Sequence, residues 1–384
     1  MSQMARTPVP NSEVDVSPFN AWKSQLLEKK QPVKRLLHSD RATYNVLVIG
    51  SGHRITTNFI PALKSLESTF NVTGIWSRTI KHAKKVSDTV GWPVIEQLDK
   101  RSLDASDVIV VSITASATPQ VLKTILETTD CSDKHLVIDT PVFAGFKQSL
   151  FTPLLRTFAS VSVTEDYMNF PQYSLLRQQV NTGCIGPIKK VTMNNTGYLY
   201  HGLALGRSFF DFDLVRHTKK DPRGIHYTLD NGGAIELVLP YKRLAGSVTI
   251  EGENGSFHYV NSTDQTSANE ILNRYESVIT ESWDNNTCNG FIVKTNNHCE
   301  YHKYSMKGLP MMACEESDRA FQACKTLGLI DVFKSLYDHN INSRYHFLQA
   351  LYDNYVSHVS SRRAGKLVWD YRLIMHWLEL VTLR

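Results

Sequence analysis

The sequence predicts an α/β domain on a doubly wound parallel sheet, followed by an α+β domain with an open, mostly antiparallel sheet. Three observations predict it. Residues 45–55, NVLVIGSGHRI, run from an apolar stretch into Gly50-Ser51-Gly52 and then into a helical pattern carrying Ile55, Phe59, Leu63 and Leu66 on one face. Up to Glu165, short apolar runs alternate with helical segments, the mark of βαβ units. Beyond Glu165 strand-like runs follow one another with only turns between them, as in an antiparallel sheet.

The elements follow in order. The run before Gly50 reads as a buried strand and Gly50 as the tight turn. Gly52 allows close backbone approach to a pyrophosphate, and the helix start after it supplies free N–H groups and positive potential. Such a strand, turn and helix open a Rossmann dinucleotide-binding unit, although Ile55 stands where a third glycine is usual. Residues 71–76, 107–114, 135–139 and 160–165 read as further strands; 107–114 is apolar throughout, as a strand covered on both faces requires. Residues 81–90 and 119–128 read as helices. In the second half, 188–196, 234–239, 244–251, 256–260, 276–280 and 290–295 read as strands, divided by turn signals at Asn231-Gly232-Gly233, Glu253-Asn254-Gly255 and Asp284-Asn285-Asn286. Helical periodicity returns over 314–384.

Length and composition fit this plan. A chain of 384 residues, 42% hydrophobic and 21% charged, accommodates two cores. The expected division is an N-terminal extension over 1–43, a nucleotide domain over 44–165 and a substrate or oligomerisation domain over 166–384. No apolar run is long enough to span a bilayer. The first twenty residues hold no apolar core of a secretory leader, so a cytoplasmic location is expected. Of the net charge of +5, residues 22–42 contribute +4, so the rest of the chain is close to neutral. That basic segment is read as an amphipathic helix packed through Trp22, Leu26, Leu27, Leu36 and Leu37. Neither a nucleic-acid partner nor a membrane is expected; a small-molecule substrate and a homo-oligomer, dimer or tetramer, are.

The six cysteines include no C-x-x-C pair and predict free thiols. His298, Cys299, Glu300 and His302 alternate as on a strand, which sends Cys299 to the opposite face, so no metal is expected.

Several stretches in one order resemble the glucose–fructose oxidoreductase, inositol dehydrogenase and MocA (Gfo/Idh/MocA) family. VLVIGSGHRI resembles its first strand and glycine turn, DVIVVSITASATPQVLKTIL the segment along the cofactor, and HLVIDTPVFAG the position of its Glu-Lys-Pro motif. EDYMNFPQYSLLRQQVNTGCIGPIKKV and SVTIEGENGSF resemble parts of its second domain. The likeness covers residues 44–260 in pieces. It implies an NAD(P)-dependent oxidoreductase with Gly50, Gly52, His53, Arg54, Ser77, Arg78, Ile113, Thr114, Ala115, Asp139, Thr140 and Pro141 beside the cofactor. Pro141 suits a cis bond in a tight bend.

The departures bear on chemistry. The family's motif lysine, which serves as proton donor, is replaced by Thr140, and a threonine is no useful acid near neutrality. The family's Asp and His on a helix of the second domain find their nearest counterpart in residues 198–207, which keep His201 and Arg207 but place Ala204 at the acid. The candidate proton donors are therefore His201, Tyr200 and Tyr167, and the candidate substrate contacts Asn169, Tyr173 and Arg207. After the second strand, Ser77-Arg78-Thr79 offers a hydroxyl and a guanidinium where an NAD-binding unit has an acid, which favours NADP while leaving NAD possible. Three readings stand: an NADPH-dependent reductase of an imine or carbonyl; a cofactor-binding sensor or partner protein without catalysis; and a sugar or polyol dehydrogenase with relocated acid and base, for which Lys147 is one candidate.

Overall fold

The computed structural model describes residues 37, 43–142, 155, 157–198, 200–241, 246–260, 276–284, 287–295, 298–303, 319–338, 345 and 347–361. The first half forms a six-stranded sheet. It comprises β1 (Tyr44–Ile49), β2 (Phe70–Trp76), β3 (Val94–Ile95), β4 (Val108–Val111), β5 (His135–Ile138) and β6 (Ser160–Val163), in the order β3-β2-β1-β4-β5-β6 with every pairing parallel. The order reverses direction between β1 and β4, the switch point beside which such sheets bind ligands. The inner strands are buried on both faces, which is why they read as unbroken apolar runs. After β1 the chain passes through a π-helical turn, Ile55–Phe59, into α1 (Ile60–Ser65). The helices α2 (Ile80–Val90), α3 (Lys100–Asp104) and α4 (Thr118–Thr128) lie in the crossovers that lead to β3, β4 and β5.

The second half builds a nine-stranded mixed sheet, preceded by a 3₁₀ turn, Tyr167–Asn169, and α5 (Pro171–Asn181). Its strands are β7 (Ile188–Asn194), β8 (Val215–Lys220), β9 (Gly224–Leu229), β10 (Ala234–Val238), β11 (Ser247–Gly252), β12 (Ser256–Val260), β13 (Ser277–Asp284), β14 (Thr287–Thr295) and β15 (Cys299–Lys303). The order is β15-β14-β13-β12-β11-β7-β10-β9-β8, with only β7–β10 and β12–β13 parallel among these pairings. The β8–β9 hairpin has no counterpart in the sequence reading. The edge strand β8, VRHTKK, is mostly polar and solvated and carries no apolar alternation to reveal it.

Helix α6 (Tyr200–Ser208) lies against β7 and β10; a Cβ on Gly206 would meet the Ile235 side chain at 2.7 Å, so the glycine sets this close approach. Two later helices, α7 (Arg319–Lys334) and α8 (Phe347–Ser361), return to the body. Helix α7 sends Leu329, Ile330 and Phe333 into one face of the first sheet, with Phe333 edge-on to Phe59 at 6.3 Å. Helix α7 thus fastens the C-terminal region onto the nucleotide half. Leu37 is buried in the same cluster and its N–H bonds the carbonyl of Leu336 at 2.9 Å. Trp22, Leu26, Leu27 and Leu36 lie outside the described residues, as do most of 1–43. Among the described residues no helix is long and apolar enough to cross a membrane.

Candidate active site

The glycine turn is built as its sequence requires. Gly50 has φ +132°, and a Cβ there would sit 2.0 Å from the Ser112 carbonyl oxygen, so only glycine fits between β1 and β4. Gly52, by contrast, faces open space: a Cβ on it would meet nothing within 4 Å. His53 beside it is exposed, and the first turn of the helix leaves its N–H groups without intrahelical acceptors. Ser51 donates to the Ser77 hydroxyl at 2.9 Å, tying the turn to the end of β2, where Arg78 is exposed. Ile113, Thr114 and Ala115 form the loop after β4, with Thr114 exposed and the other two partly so. An open backbone at Gly52 and a helix start form a cradle that fits a dinucleotide, with the exposed Arg78 at the end of β2.

Arg54 departs from the expectation that it faces the cofactor. Its guanidinium donates to Asn58 Oδ1 at 2.8 Å and Asp166 Oδ2 at 2.6 Å, and approaches Asp139 Oδ1 at 3.5 Å. Burial works against its charge, but Asp166 and Asp139 outweigh that and hold its pKa above the ordinary arginine value. Asp139 is equally committed: Oδ2 accepts from Ser112 Oγ at 2.7 Å, and Oδ1 from Thr164 Oγ1 at 2.6 Å and the Thr140 N–H at 3.1 Å. It fixes the backbone of the Thr140-Pro141 bend, whose peptide bond is cis. Thr140 is partly buried and Pro141 exposed.

The second half brings the proton-handling groups to this bend. His201, near the start of α6, places Nδ1 2.7 Å from Oε2 and 2.9 Å from Oε1 of Glu165. The Glu165 side chain has no exposed surface, while 18% of the His201 side chain remains exposed. Tyr167 stacks on the imidazole at 4.8 Å and Tyr200 packs at 4.1 Å. The Tyr167 hydroxyl pairs with that of Tyr241 at 2.6 Å. Burial, reinforced by Tyr241 for Tyr167 and by Glu165 for Tyr200, pushes both phenols well above their ordinary range; a hydrogen bond with Thr140 offsets this in part for Tyr200. Both hydroxyls stay protonated near neutrality and are poor acids. Of the three candidate donors, that leaves the His201 imidazole, paired with Glu165.

Two of the expected substrate contacts lie elsewhere. Arg207 is fully buried: it pairs with Asp353 of α8, donates to the carbonyls of Phe212 and Asp213 and to Gln349 Oε1, and stacks over Tyr352 at 4.4 Å. It bolts α6 to α8 and has no surface to offer a substrate. Tyr173 is core as well, its hydroxyl paired with Thr196 at 3.1 Å and its ring stacked on Phe170 at 5.8 Å. Asn169 is partly exposed at the end of the 3₁₀ turn that begins with Tyr167. Lys147 lies outside the described residues. Among the described residues no group of three His, Cys, Asp or Glu side chains converges as for a metal.

Three residues of the site have no counterpart in the sequence reading: Glu165, Asp166 and Lys325. Glu165-Asp166 follows the last parallel strand, at the sheet edge where such folds bind their ligands, and that position was the signal available. Lys325 comes from α7, far along the chain, and no local pattern marks it.

The family model of an oxidoreductase family with an NAD-binding Rossmann fold, Gfo/Idh/MocA, matches residues 44–150. No curated protein matches the chain by sequence. Several solved structures share the fold over most of both chains. An NAD-binding oxidoreductase from Klebsiella pneumoniae has a TM-score of 0.57 at 11% identity, covering 85% of this chain and 97% of its own. An oxidoreductase from Thermotoga maritima has a TM-score of 0.54 at 17% identity, with 84% and 97% covered. A 3-ketoreductase from Actinomadura kijaniata, solved with NADP, has a TM-score of 0.52 at 16% identity, with 83% and 96% covered. At these identities the likeness is one of fold. Residues 44–150, which hold the glycine turn and cradle described above, thus match the NAD-binding Rossmann fold of the Gfo/Idh/MocA oxidoreductase family, and the rest of the chain shares the fold of the solved structures.

Proposed function

We propose that the protein is an NADPH-dependent reductase acting on the C=O or C=N bond of a small molecule, with His201 as its proton donor. The observation that carries this reading is the His201–Glu165 pair beside the Thr140 bend. It supplies a carboxylate-supported imidazole where Thr140 and Ala204 leave the family's groups absent. When bound, NADPH supplies the hydride. The chain's residues do the rest. Gly52 and the helix start receive the phosphates, and Arg78 meets the 2′-phosphate. Glu165 holds the imidazole through Nδ1, which leaves Nε2 to give a proton to the substrate heteroatom. The flanking tyrosine rings restrict water around it.

Titration of the purified chain with NADPH and NADH, followed by thermal shift and cofactor fluorescence, tests this reading. A ligand of the native state raises stability by mass action, so micromolar binding is visible. Binding of NADPH in preference to NADH supports the reading. Binding of neither nucleotide refutes it and leaves a fold used for another purpose.

A further inference from the structure

Helix α7 enters the site along one face. Gln322 and Thr326 accept from the Asn58 side chain of the helix after the glycine turn, at 3.1 and 3.4 Å. Phe321 lies edge-on to Tyr167 at 5.9 Å, and a Cβ on Gly328 would come within 2.7 Å of the Asp166 carbonyl oxygen. These contacts seat α7 against both the nucleotide half and the turn that carries Glu165 and Asp166. Lys325 shares this face, at helical spacing from Phe321, Gln322 and Gly328.

Its ammonium is unlike the other charges of the site. It lies 5.5 Å over the Phe321 ring, half-buried, and has no hydrogen-bond or ion-pair partner among the described residues. The charges that act on it are Arg54, Asp166, Asp139 and Glu165, the same four that order the site. Yet those carboxylates are already engaged: Asp139 and Asp166 by Arg54, Ser112 and Thr164, and Glu165 by His201. Among the described residues the three N–H donors on Nζ thus lie within the field of the site without an acceptor. Burial, aided by Arg54 and opposed by the three carboxylates, lowers the lysine's pKa.

We propose that Lys325 is a second catalytic residue, whose ammonium binds the oxygen of a neutral carbonyl substrate and stabilises the negative charge that develops there. It would take the place left by Thr140 from another element of the fold. A carbonyl oxygen has lone pairs for the ammonium, whereas a preformed iminium has none and is repelled. As the carbonyl carbon accepts the hydride and its electron pair, the C=O π pair moves onto oxygen. The His201 proton then closes the O–H bond, which completes a two-electron reduction. This inference rests on the nucleotide reading above.

Trace acetylation of the full chain with acetic anhydride, with and without saturating NADPH, reads Lys325 directly by peptide mapping. Faster labelling of Lys325 near neutrality than of exposed Lys123, and its loss by tenfold or more with NADPH present, are the expected results. Equal rates, or no protection while NADPH is bound, would overturn the proposal and leave the nucleotide reading intact. A chain that binds no NADPH instead removes the reading on which the proposal rests. Lys325→Met is expected to keep NADPH affinity within about threefold. It should lose at least tenfold in NADPH oxidation by 4-nitrobenzaldehyde, with no loss, or a gain, on N-methyl-3,4-dihydroisoquinolinium, and Lys325→Arg is expected to recover part of the carbonyl loss. Equal loss on both probes, or loss of NADPH binding with the lysine, would mark Lys325 as structural.

Discussion

His201 Nδ1 stands 2.7 Å from Glu165 Oε2, so the imidazole on the second sheet's helix is held by a carboxylate at the end of the first sheet's last strand. The pair works only if both halves keep their relative placement. Replacing His201 by Phe keeps the stacking with Tyr167 and removes the proton. Turnover of an NADPH-reducible carbonyl is expected to fall about 10²–10⁴-fold, the usual contribution of general acid catalysis. Glu165→Gln keeps the shape but removes the carboxylate charge beside the imidazole. It is expected to lower turnover less than His201→Phe, with NADPH affinity unchanged in both. Steady-state kinetics beside a binding titration separates the effects, and unchanged turnover in His201→Phe removes the histidine from the chemistry.

Arg54 leads to a stability prediction rather than a catalytic one. Its partner Asp166 is only 1% exposed, and removing the guanidinium leaves that carboxylate buried without its hydrogen-bonded cation. Breaking one side of such a pair costs about 3–5 kcal/mol. Arg54→Met is expected to lose an amount of that order in urea unfolding. Arg54→Asn, if equally stable to wild type, would show that the Asp166 environment relaxes without the cation.

The parts of this architecture that announce themselves in sequence are those in which local pattern and burial agree. β1, β4 and β5 are covered on both faces and read as apolar runs, and Gly50 marks a turn no other residue fits. β8 escapes notice because its solvated face is basic and its position at the sheet edge relaxes the alternation. The site is legible only in its local pieces. His201, Tyr200, Tyr167 and the Asp139-Thr140-Pro141 bend all lie on recognisable motifs, and the structure brings them together. Arg207 misleads because an arginine on a helix near a histidine has the same signature at a cleft as in a core. Its actual partners, Asp353 and Gln349, are more than a hundred residues away. Lys325 is invisible for the same reason, since its role depends on a helix that returns to the first sheet only in three dimensions.

Arg78 is the residue on which the proposed preference for NADPH is tested. It is exposed at the end of β2, beside the Ser51–Ser77 hydrogen bond, with no acid in the Ser77-Arg78-Thr79 run to receive a ribose 2′-OH. A hydrogen bond to a charged group contributes about 1.5–3 kcal/mol. Arg78→Ala is therefore expected to weaken NADPH binding by roughly 10- to 150-fold and to leave NADH nearly unchanged. Fluorescence titration with both nucleotides checks this, and equal weakening of the two would assign Arg78 to general electrostatics.

Arg207 and Asp353 supply a prediction that is independent of activity. The two side chains are fully buried, and Tyr345 donates a further hydrogen bond to the carboxylate at 2.9 Å. Removing the arginine alone strands Asp353 and the carbonyls of Phe212 and Asp213, and Arg207→Met is expected to cost about 3–5 kcal/mol. A well-packed apolar pair need not cost as much, because the desolvation of both charges is then avoided. The double variant Arg207→Met with Asp353→Leu is accordingly expected to be more stable than Arg207→Met alone, and a purely additive double variant would count against coupling between the two. The pH dependence follows from the same burial. Burial, larger than the opposing pull of Arg207, pushes the Asp353 carboxyl up to about 6. The folded state then binds the proton more tightly than the unfolded chain, whose aspartate titrates near about 3.9. Stability from this group is present below the unfolded value and is lost as pH rises through the folded one. Asp353→Asn, which carries no titrating proton, lacks that slope. The stability difference, wild type minus Asp353→Asn, is expected to fall between about pH 4 and pH 6, and a difference that rises over that window would show Arg207 to dominate the carboxyl instead.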